Sequence, residues 1–362
     1  MDQREIVALT PADHTLGYPV EVHHRIRRDV WEDYPRVARS LDRCRIDVAS
    51  IQFEYGIWGG TDGEHVLDFV SALRAPSVAT LHTVLRHPTP HQRQVLVDLV
   101  AATEATIVMS RAAASLLADA YGVDPTVIDV VPHGVPDLPL VDPDSVKPAL
   151  GLEGRKVILS FGLLGPGKGY ELAIAAMPSV VAAHPNVLYV ILGATHPDLL
   201  RREGEAYRQR LTALVRELGL TNNVRLVDRF VDRRELGRWL EAADLFVTPY
   251  PNLEQIVSGT MSYAMSAGKA VVATPFTYAT ELLAGGRGVL VEGASSPALG
   301  EALIGLLDDP QRRAAIGARA YADSRRMVWP EVGAAYRRVF ARVSGLPASI
   351  IAIHPRAALV DA

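Results

Sequence analysis

Short apolar, β-branched runs alternate with amphipathic helical stretches along almost the whole chain, in two successive series. Runs of this kind suit buried parallel strands joined by crossover helices, which makes an α/β fold the expectation. In the first series, residues 6–9, 48–51, 78–81, 106–109 and 127–131 read as strands, with helices near 30–43, 62–74, 90–103 and 110–121. In the second, the strands fall at 157–161, 187–192, 224–227, 245–247, 270–273 and 288–291, followed by two or three helices from about 297 to 343. Residues 136–146, rich in Pro and Asp and without a helical period, read as the linker. The division expected is residues 1–140, residues 150–328, and a closing helix with tail over 329–362. Open parallel sheets of this type bind ligands beyond the carboxyl ends of their strands, so the expected site is a cleft between two facing domains.

Composition removes several function classes. A net charge of −4, with basic residues only in short pairs such as Arg27-Arg28, leaves no footprint for nucleic acid. Cys44 is the single cysteine, read as excluding an internal disulfide and any thiolate zinc cluster, and the histidine spacing shows no close His/Cys/Asp constellation. No metal ligand set is therefore expected. The uncharged run over 172–197 could pass for a membrane span. Pro178, Pro185 and Asn186 instead divide it into a helix, a turn and a strand, so no transmembrane segment is expected. The charged start, Met1-Asp2-Gln3-Arg4-Glu5, lacks a leader's apolar stretch, and the expected location is cytoplasmic.

Two segments carry chemistry. Gly162-Leu163-Leu164-Gly165-Pro166-Gly167-Lys168-Gly169 follows a strand and opens a helix. It departs from a P-loop because Gly169 stands where a magnesium-binding Ser or Thr belongs. Glycines at a helix N-terminus expose N–H groups and the positive dipole end, and Lys168 adds a full charge, a combination that suits a diphosphate. An ordinary strand-to-helix turn with a solvated lysine is the other reading. The second segment, Gln255-Ile256-Val257-Ser258-Gly259-Thr260-Met261-Ser262-Tyr263, leads into a helix with polar donors fit for sugar hydroxyls or phosphates. Ser258 or Thr260 acting as a plain N-cap is its alternative.

Taken in order with Val190-Ile191-Leu192-Gly193, Ala242-Ala243-Asp244-Leu245, Ala264-Met265…Gly268-Lys269 and Glu281, these motifs resemble the C-terminal domain of family 4 of the retaining glycosyltransferases. Thr80-Leu81-His82-Thr83, Val108-Met109-Ser110 and Val131-Pro132-His133-Gly134-Val135 extend the likeness into the first half, and Trp329, Val332 and Tyr336 resemble the family's closing helix. The resemblance implies a GT-B fold, two Rossmann-like domains with parallel sheets facing across a cleft. It also implies a nucleotide-diphosphate sugar donor of the UDP, GDP or ADP type, held mainly by the C-terminal domain. Transfer would retain the anomeric configuration and need neither metal nor other cofactor.

Carried over by motif, His82, Lys168 and Gln255 are the expected catalytic residues. Gly165, Gly167, Lys168, Arg229, Glu254, Gln255, Ser258, Gly259, Thr260 and Tyr263 are expected on the donor. Glu54, Tyr55 and Trp58, in a Gly-containing segment after a strand, are expected on the side of a carbohydrate or small-molecule acceptor; an ordinary turn is the other reading. His82 matches a histidine near the reacting sugar, against the reading of a hydrogen-bonded core histidine.

The chain departs from the family in three places. Leu163 stands where an arginine pairs with the lysine, with Arg229 or Arg233 as replacements. Gln255 and Tyr263 stand at the paired glutamates, with Glu254 beside the first. The opening strand leads through Pro11-Ala12-Asp13-His14 into a polar stretch, so the N-terminal domain is expected to lack its first strand-helix unit unless that loop, with Gly17, replaces it. Ser258-Gly259-Thr260 also resembles glycogen-phosphorylase-type enzymes, although Tyr263 cannot form the Schiff base with pyridoxal phosphate. The expected function is hexosyl transfer from a nucleotide-diphosphate sugar. A cofactor-free sugar phosphorylase and a catalytically silent nucleotide-, sugar- or partner-binding protein are the alternatives.

Overall fold

The computed structural model describes residues 5–11 and 17–347, so Ala12, Asp13 and His14 and the tail after Pro347 lie outside the described residues. Two compact units form: Met1–Pro132 together with Pro330–Ala362, and His133–Trp329.

The first unit holds strands β1 (Ile6–Thr10), β2 (Val22–Arg27), β3 (Ala49–Phe53), β4 (Ser77–Leu81), β5 (Ala105–Val108) and β6 (Ile128–Val130). Its helices are α1 (Asp33–Arg43), α2 (His65–Ala72), α3 (Pro90–Ala101) and α4 (Arg111–Tyr121), joined by the C-terminal helix, Trp329–Ser344, from Pro330 onward. All pairings are parallel: β3-β4-β5-β6 make one sheet and β1-β2 a separate two-stranded one. β4 and β5 are buried at every position, their mainly apolar sequences carrying Ser77, Thr80 and Thr106 into the interior as well. Local chemistry sets the helix ends. Thr89 and Gln92 form a reciprocal capping box with Pro90 at the first turn of α3, and Gly122 closes α4 in the left-handed region.

β2 corrects the sequence reading of a polar stretch. Val22-His23-His24-Arg25-Ile26-Arg27 carries no apolar run, and Ile26 is its one fully buried residue. Pairing with β1 and packing of α1 against it make the segment a strand. No helix stands between β1 and β2 among the described residues.

The second unit contains β7 (Lys156–Phe161), β8 (Val187–Leu192), β9 (Val224–Val227), β10 (Leu245–Thr248), β11 (Ala270–Ala273) and β12 (Val289–Leu290). Around them lie α5 (Pro143–Val146), α6 (Tyr170–Ala183), α7 (Pro197–Glu203), α8 (Ala206–Glu217), α9 (Arg233–Ala242), α10 (Gly259–Ser266), α11 (Thr277–Leu282), α12 (Ser296–Asp308) and α13 (Pro310–Ser324). The parallel sheet runs β12-β11-β10-β7-β8-β9. From β7 the chain winds outward through β8 to β9, then returns to the other side of β7 with β10.

Residues 136–146 belong to this unit rather than hanging as a linker. Lys147, just after α5, is buried with its ammonium 2.8 Å from Asp244 and 2.6 Å from Asp144. Pro178 lies inside α6 instead of breaking it; burial of Tyr170, Ala173, Ile174, Met177 and Val180 along that helix outweighs the local penalty. The rest of the ambiguous apolar run is β8, and no described helix is long and apolar enough to cross a membrane.

Candidate functional site

In the second unit the strand order reverses between β7 and β10, the position at which open parallel sheets bind ligands beyond the carboxyl ends of their strands. The loop after β7 is the glycine-rich turn. Gly162 takes φ +126°, residues Pro166–Lys168 form a single 3₁₀ turn, and Gly169 at φ +64° starts the 14-residue α6. A Cβ on Gly169 would stand 2.0 Å from the carbonyl oxygen of Pro249, in the loop after β10, so the two loops touch backbone to backbone. Among the described residues, no atom beyond the immediate chain neighbours lies within 4 Å of where a Cβ would sit on Gly165 or Gly167. Those glycines answer no internal packing demand and leave the backbone approachable.

The close passage brings Lys168 onto Tyr250. The ammonium donates to the phenol oxygen at 3.3 Å and lies 4.8 Å from the ring centre. Tyr250 is buried and fixed: its ring stacks on Phe276 at 5.0 Å, and its carbonyl accepts from the Thr274 hydroxyl at 2.6 Å. Its hydroxyl lies 2.9 Å from Thr260 Oγ1 and 3.3 Å from Ser258 Oγ. The two segments singled out in the sequence are thus joined by a tyrosine that sequence reasoning passed over. The signal available was its position directly after a buried strand, beside Pro249.

Ser258 is the N-cap of α10, its oxygen accepting from the Met261 amide, so the plain capping reading holds for it. The cap and the site coexist, because the same oxygen also faces Tyr250 and Thr260. Over the start of α10 lies His133: a Cβ on Gly259 would come within 2.7 Å of its Nε2, so a larger residue there would have to displace the imidazole. Tyr263 packs edge-on to His133 at 6.2 Å and tilted against Phe161 at 6.0 Å, forming an aromatic group rather than a second carboxylate.

Other expected donor residues sit apart from this cluster. The Gln255 side-chain amide donates to the Val257 carbonyl at 3.0 Å, and the Gln255 backbone carbonyl receives the Tyr278 N–H. Glu254 is exposed, with its backbone N–H on Asn252. Arg229 makes a two-pronged pair with Glu235, and that hydrogen-bonded charge raises the guanidinium pKa. A surface hollow lined by Lys147, Arg155, Lys156 and Asn186 lies at the opposite, amino-terminal ends of β7 and β8.

In the first unit, Glu54 directly follows β3. Burial pushes its carboxyl above the usual range, while the Thr83 hydroxyl at 2.5 Å and the Tyr55 N–H at 3.1 Å favour its charged form. Tyr55 is half-buried, its hydroxyl donating to the Gln92 carbonyl. His82, immediately beyond β4, pairs through Nε2 with the Gln52 side chain at 2.8 Å and is part-exposed, so it is not a core histidine. Trp58, expected on the acceptor side, lies in the core instead. It is 7% exposed, packs on Tyr34 and Phe69, and its indole N–H donates to the Gln52 carbonyl at 2.9 Å. Its faces are occupied by the core.

A second difference is a grouping of side chains. Among the described residues Glu5, His24 and Cys44 converge, with one ligand atom from each lying within 4.8 Å of the others. Sequence spacing hid them because β1, β2 and the end of α1 meet only in the folded unit.

Sequence models of known families settle the lineage. The one described as "Glycosyl transferases group 1" matches residues 143–323, and that described as "Glycosyltransferase Family 4" matches residues 4–137. The chain belongs to the group 1 glycosyl transferases. A D-inositol 3-phosphate glycosyltransferase of Xylanimonas cellulosilytica is 31% identical to this group 1 member over 293 residues, covering 74% of this chain and 67% of that one. A phosphatidyl-myo-inositol mannosyltransferase of Mycolicibacterium smegmatis is 31% identical over 221 residues, 59% and 52% of the two chains. The group 1 chain thus matches between about half and two-thirds of the length of these relatives. Among solved structures, Anabaena HepE in complex with UDP superposes with a TM-score of 0.71 at 21% identity, covering 89% of this chain and 86% of that one. Sucrose-phosphate synthase of Thermosynechococcus elongatus gives 0.72 at 17% identity, over 93% and 89%. At such identities the likeness speaks for the fold, which is GT-B.

Proposed function

We propose that the protein is a retaining hexosyltransferase that takes its sugar from a nucleotide diphosphate and passes it to a sugar or small-molecule acceptor. The observation that carries this reading is the contact of Lys168 with the Tyr250-Ser258-Thr260 hydroxyl cluster where the strand order reverses, in a chain of this family. As the glycosidic bond breaks, negative charge grows on the leaving diphosphate. Lys168 and the N-terminus of α6 supply a fixed positive field there, without a metal. Ser258 and Thr260 offer hydroxyls, and Gly165 and Gly167 an unobstructed backbone, to the phosphate or sugar oxygens. Gln255 and Glu254 are assigned to the donor sugar, Tyr263 to the nucleotide side. Arg229 reaches the diphosphate only by exchanging Glu235 for it. Glu54, Tyr55 and His82 are assigned to the acceptor side.

A Corynebacterium glutamicum relative is described as GDP-mannose-dependent, and HepE is solved with UDP-glucose. UDP- and GDP-hexoses are accordingly the first donors to try, with ADP-hexoses third. The decisive assay incubates each donor with sugar and inositol-phosphate acceptors and reads the product's anomeric configuration by NMR. Transfer with retention supports the proposal, and inversion would overturn it.

One observation favours a second reading, binding without transfer: Gln255 is uncharged and tied to Val257. Donor binding with neither transfer nor hydrolysis would select it. Phosphate-dependent cleavage of a disaccharide without donor binding would select a phosphorylase.

A further inference from the structure

The first unit contains a mixed carboxylate, imidazole and thiol cluster that the transfer reaction does not use. Glu5 precedes β1, His23 and His24 lie on β2, and Cys44 is the C-cap residue of α1. A single carboxylate oxygen, Glu5 Oε2, stands 3.0 Å from His24 Nε2 and 3.1 Å from His23 Nδ1. The Glu5 and His24 side chains are 8% and 14% exposed, whereas His23 is half-exposed. Cys44 offers its sulfur to the same group within 4.8 Å.

We propose that Glu5, His24 and Cys44 bind a divalent cation of the zinc class. Three physical points support it. The donor types match: thiolate and imidazole select a borderline-soft ion over magnesium or calcium, and a carboxylate is a common third ligand. The spacing matches too. Metal–ligand bonds of about 2.0–2.3 Å in a tetrahedron put ligand atoms roughly 3.3–3.8 Å apart, compatible with the 3.0 Å between Glu5 and His24 and with all three atoms lying within 4.8 Å of one another. Charge also balances, since a dication neutralises a carboxylate and a thiolate that would otherwise be costly to bury together.

The consequence is structural. A two-stranded sheet is marginal by itself, and β1-β2 is separate from the four-stranded sheet. One cation bonded to the start of β1, the middle of β2 and the end of α1 ties the three elements into a single clamp. Its binding energy then adds to the stability of the opening segment.

The test uses full-length, tag-free protein stripped of metal. Cobalt(II) is added as the coloured probe, followed by zinc(II) as competitor. The expected result is one cobalt per chain, an intense thiolate-to-cobalt charge-transfer band, its loss on adding zinc, and a rise in melting temperature with zinc. Cys44→Ser, nearly isosteric, removes the band while the circular dichroism of the metal-free protein stays unchanged. His24→Ala weakens zinc binding by about tenfold or more. His91→Ala serves as a control, because His91 pairs with Asp62 and Glu64 elsewhere in the unit, and it leaves cobalt binding intact. Absence of saturable one-to-one binding, or a band that survives in Cys44→Ser, would overturn the proposal.

Discussion

Lys168 and Tyr250 lie on loops from adjacent strands, and the lysine ammonium meets the tyrosine hydroxyl at 3.3 Å while lying 4.8 Å from the ring centre. The contact orients the cation before any ligand arrives. Tyr250 in turn is held by stacking on Phe276 and by the hydroxyls of Ser258 and Thr260.

Tyr250→Phe keeps the stack and removes the hydroxyl that orders Lys168, Ser258 and Thr260. A neutral hydrogen bond is worth about 0.5–1.5 kcal/mol net, so donor affinity should fall by roughly two- to twelvefold with little change in melting temperature. Calorimetric titration with a nucleotide diphosphate reads the first effect and thermal denaturation the second.

Gly169→Ala should destabilise the second unit outright. The position needs φ +64°, and a Cβ would meet the Pro249 carbonyl oxygen at 2.0 Å. Left-handed strain contributes about 1–2 kcal/mol and the overlap adds to it. Urea titration should show a lower midpoint; an unchanged midpoint would mean the two loops do not pass as described.

Asp33 is buried beneath two exposed arginines. Arg27 donates to it through Nε, Nη2 and the backbone N–H, and Arg36 through Nη2. The hydrogen bond from Arg27 leads in holding the carboxyl far below its usual range. A depressed folded-state pKa means this stability is fully present above the unfolded value, near 4, and is lost as pH falls below it. Asp33→Asn should therefore lower stability at neutral pH by about 1–3 kcal/mol, since the arginines left behind remain solvated, and the gap to the parent should shrink below pH 4. Denaturant unfolding across pH 2.5–7 (a range of about this width brackets the carboxylate transition) measures both.

Trp58→Ala separates packing from recognition. Removing a buried tryptophan should cost about 3–5 kcal/mol. Any acceptor KM measured below the melting transition should stay within about twofold of the parent's, since a ring buried in the core presents no face to a sugar. A large rise in KM with unchanged stability would restore the acceptor-side role.

The parallel sheets were legible because buried parallel strands favour short, mainly apolar runs, and β4, β5, β8, β10 and β11 have them. β2 was not, since its six residues satisfy their hydrogen bonds with β1 while exposing His23 and Arg27. The glycine turn and the Ser-Gly-Thr segment were readable as separate helix starts. Their meeting depends on β10 returning beside β7, a choice that no local pattern encodes, and with it Tyr250 stayed hidden. Trp58 misled for a related reason: an aromatic beside glycines looks like a sugar platform until Tyr34 and Phe69 are seen to cover it. The Glu5-His24-Cys44 group likewise needs three elements brought together from distant positions.

The central claim, a nucleotide-diphosphate site built on Lys168, is tested most directly by isothermal titration of UDP-, GDP- and ADP-hexoses into the parent protein and Lys168→Ala. Hydrogen bonds to charged groups are worth about 1.5–3 kcal/mol, so the variant should bind the preferred donor roughly 10- to 150-fold more weakly while keeping its melting temperature without ligand. Equal affinity in parent and variant, or no binding of any of the three donors to the parent, would contradict the account.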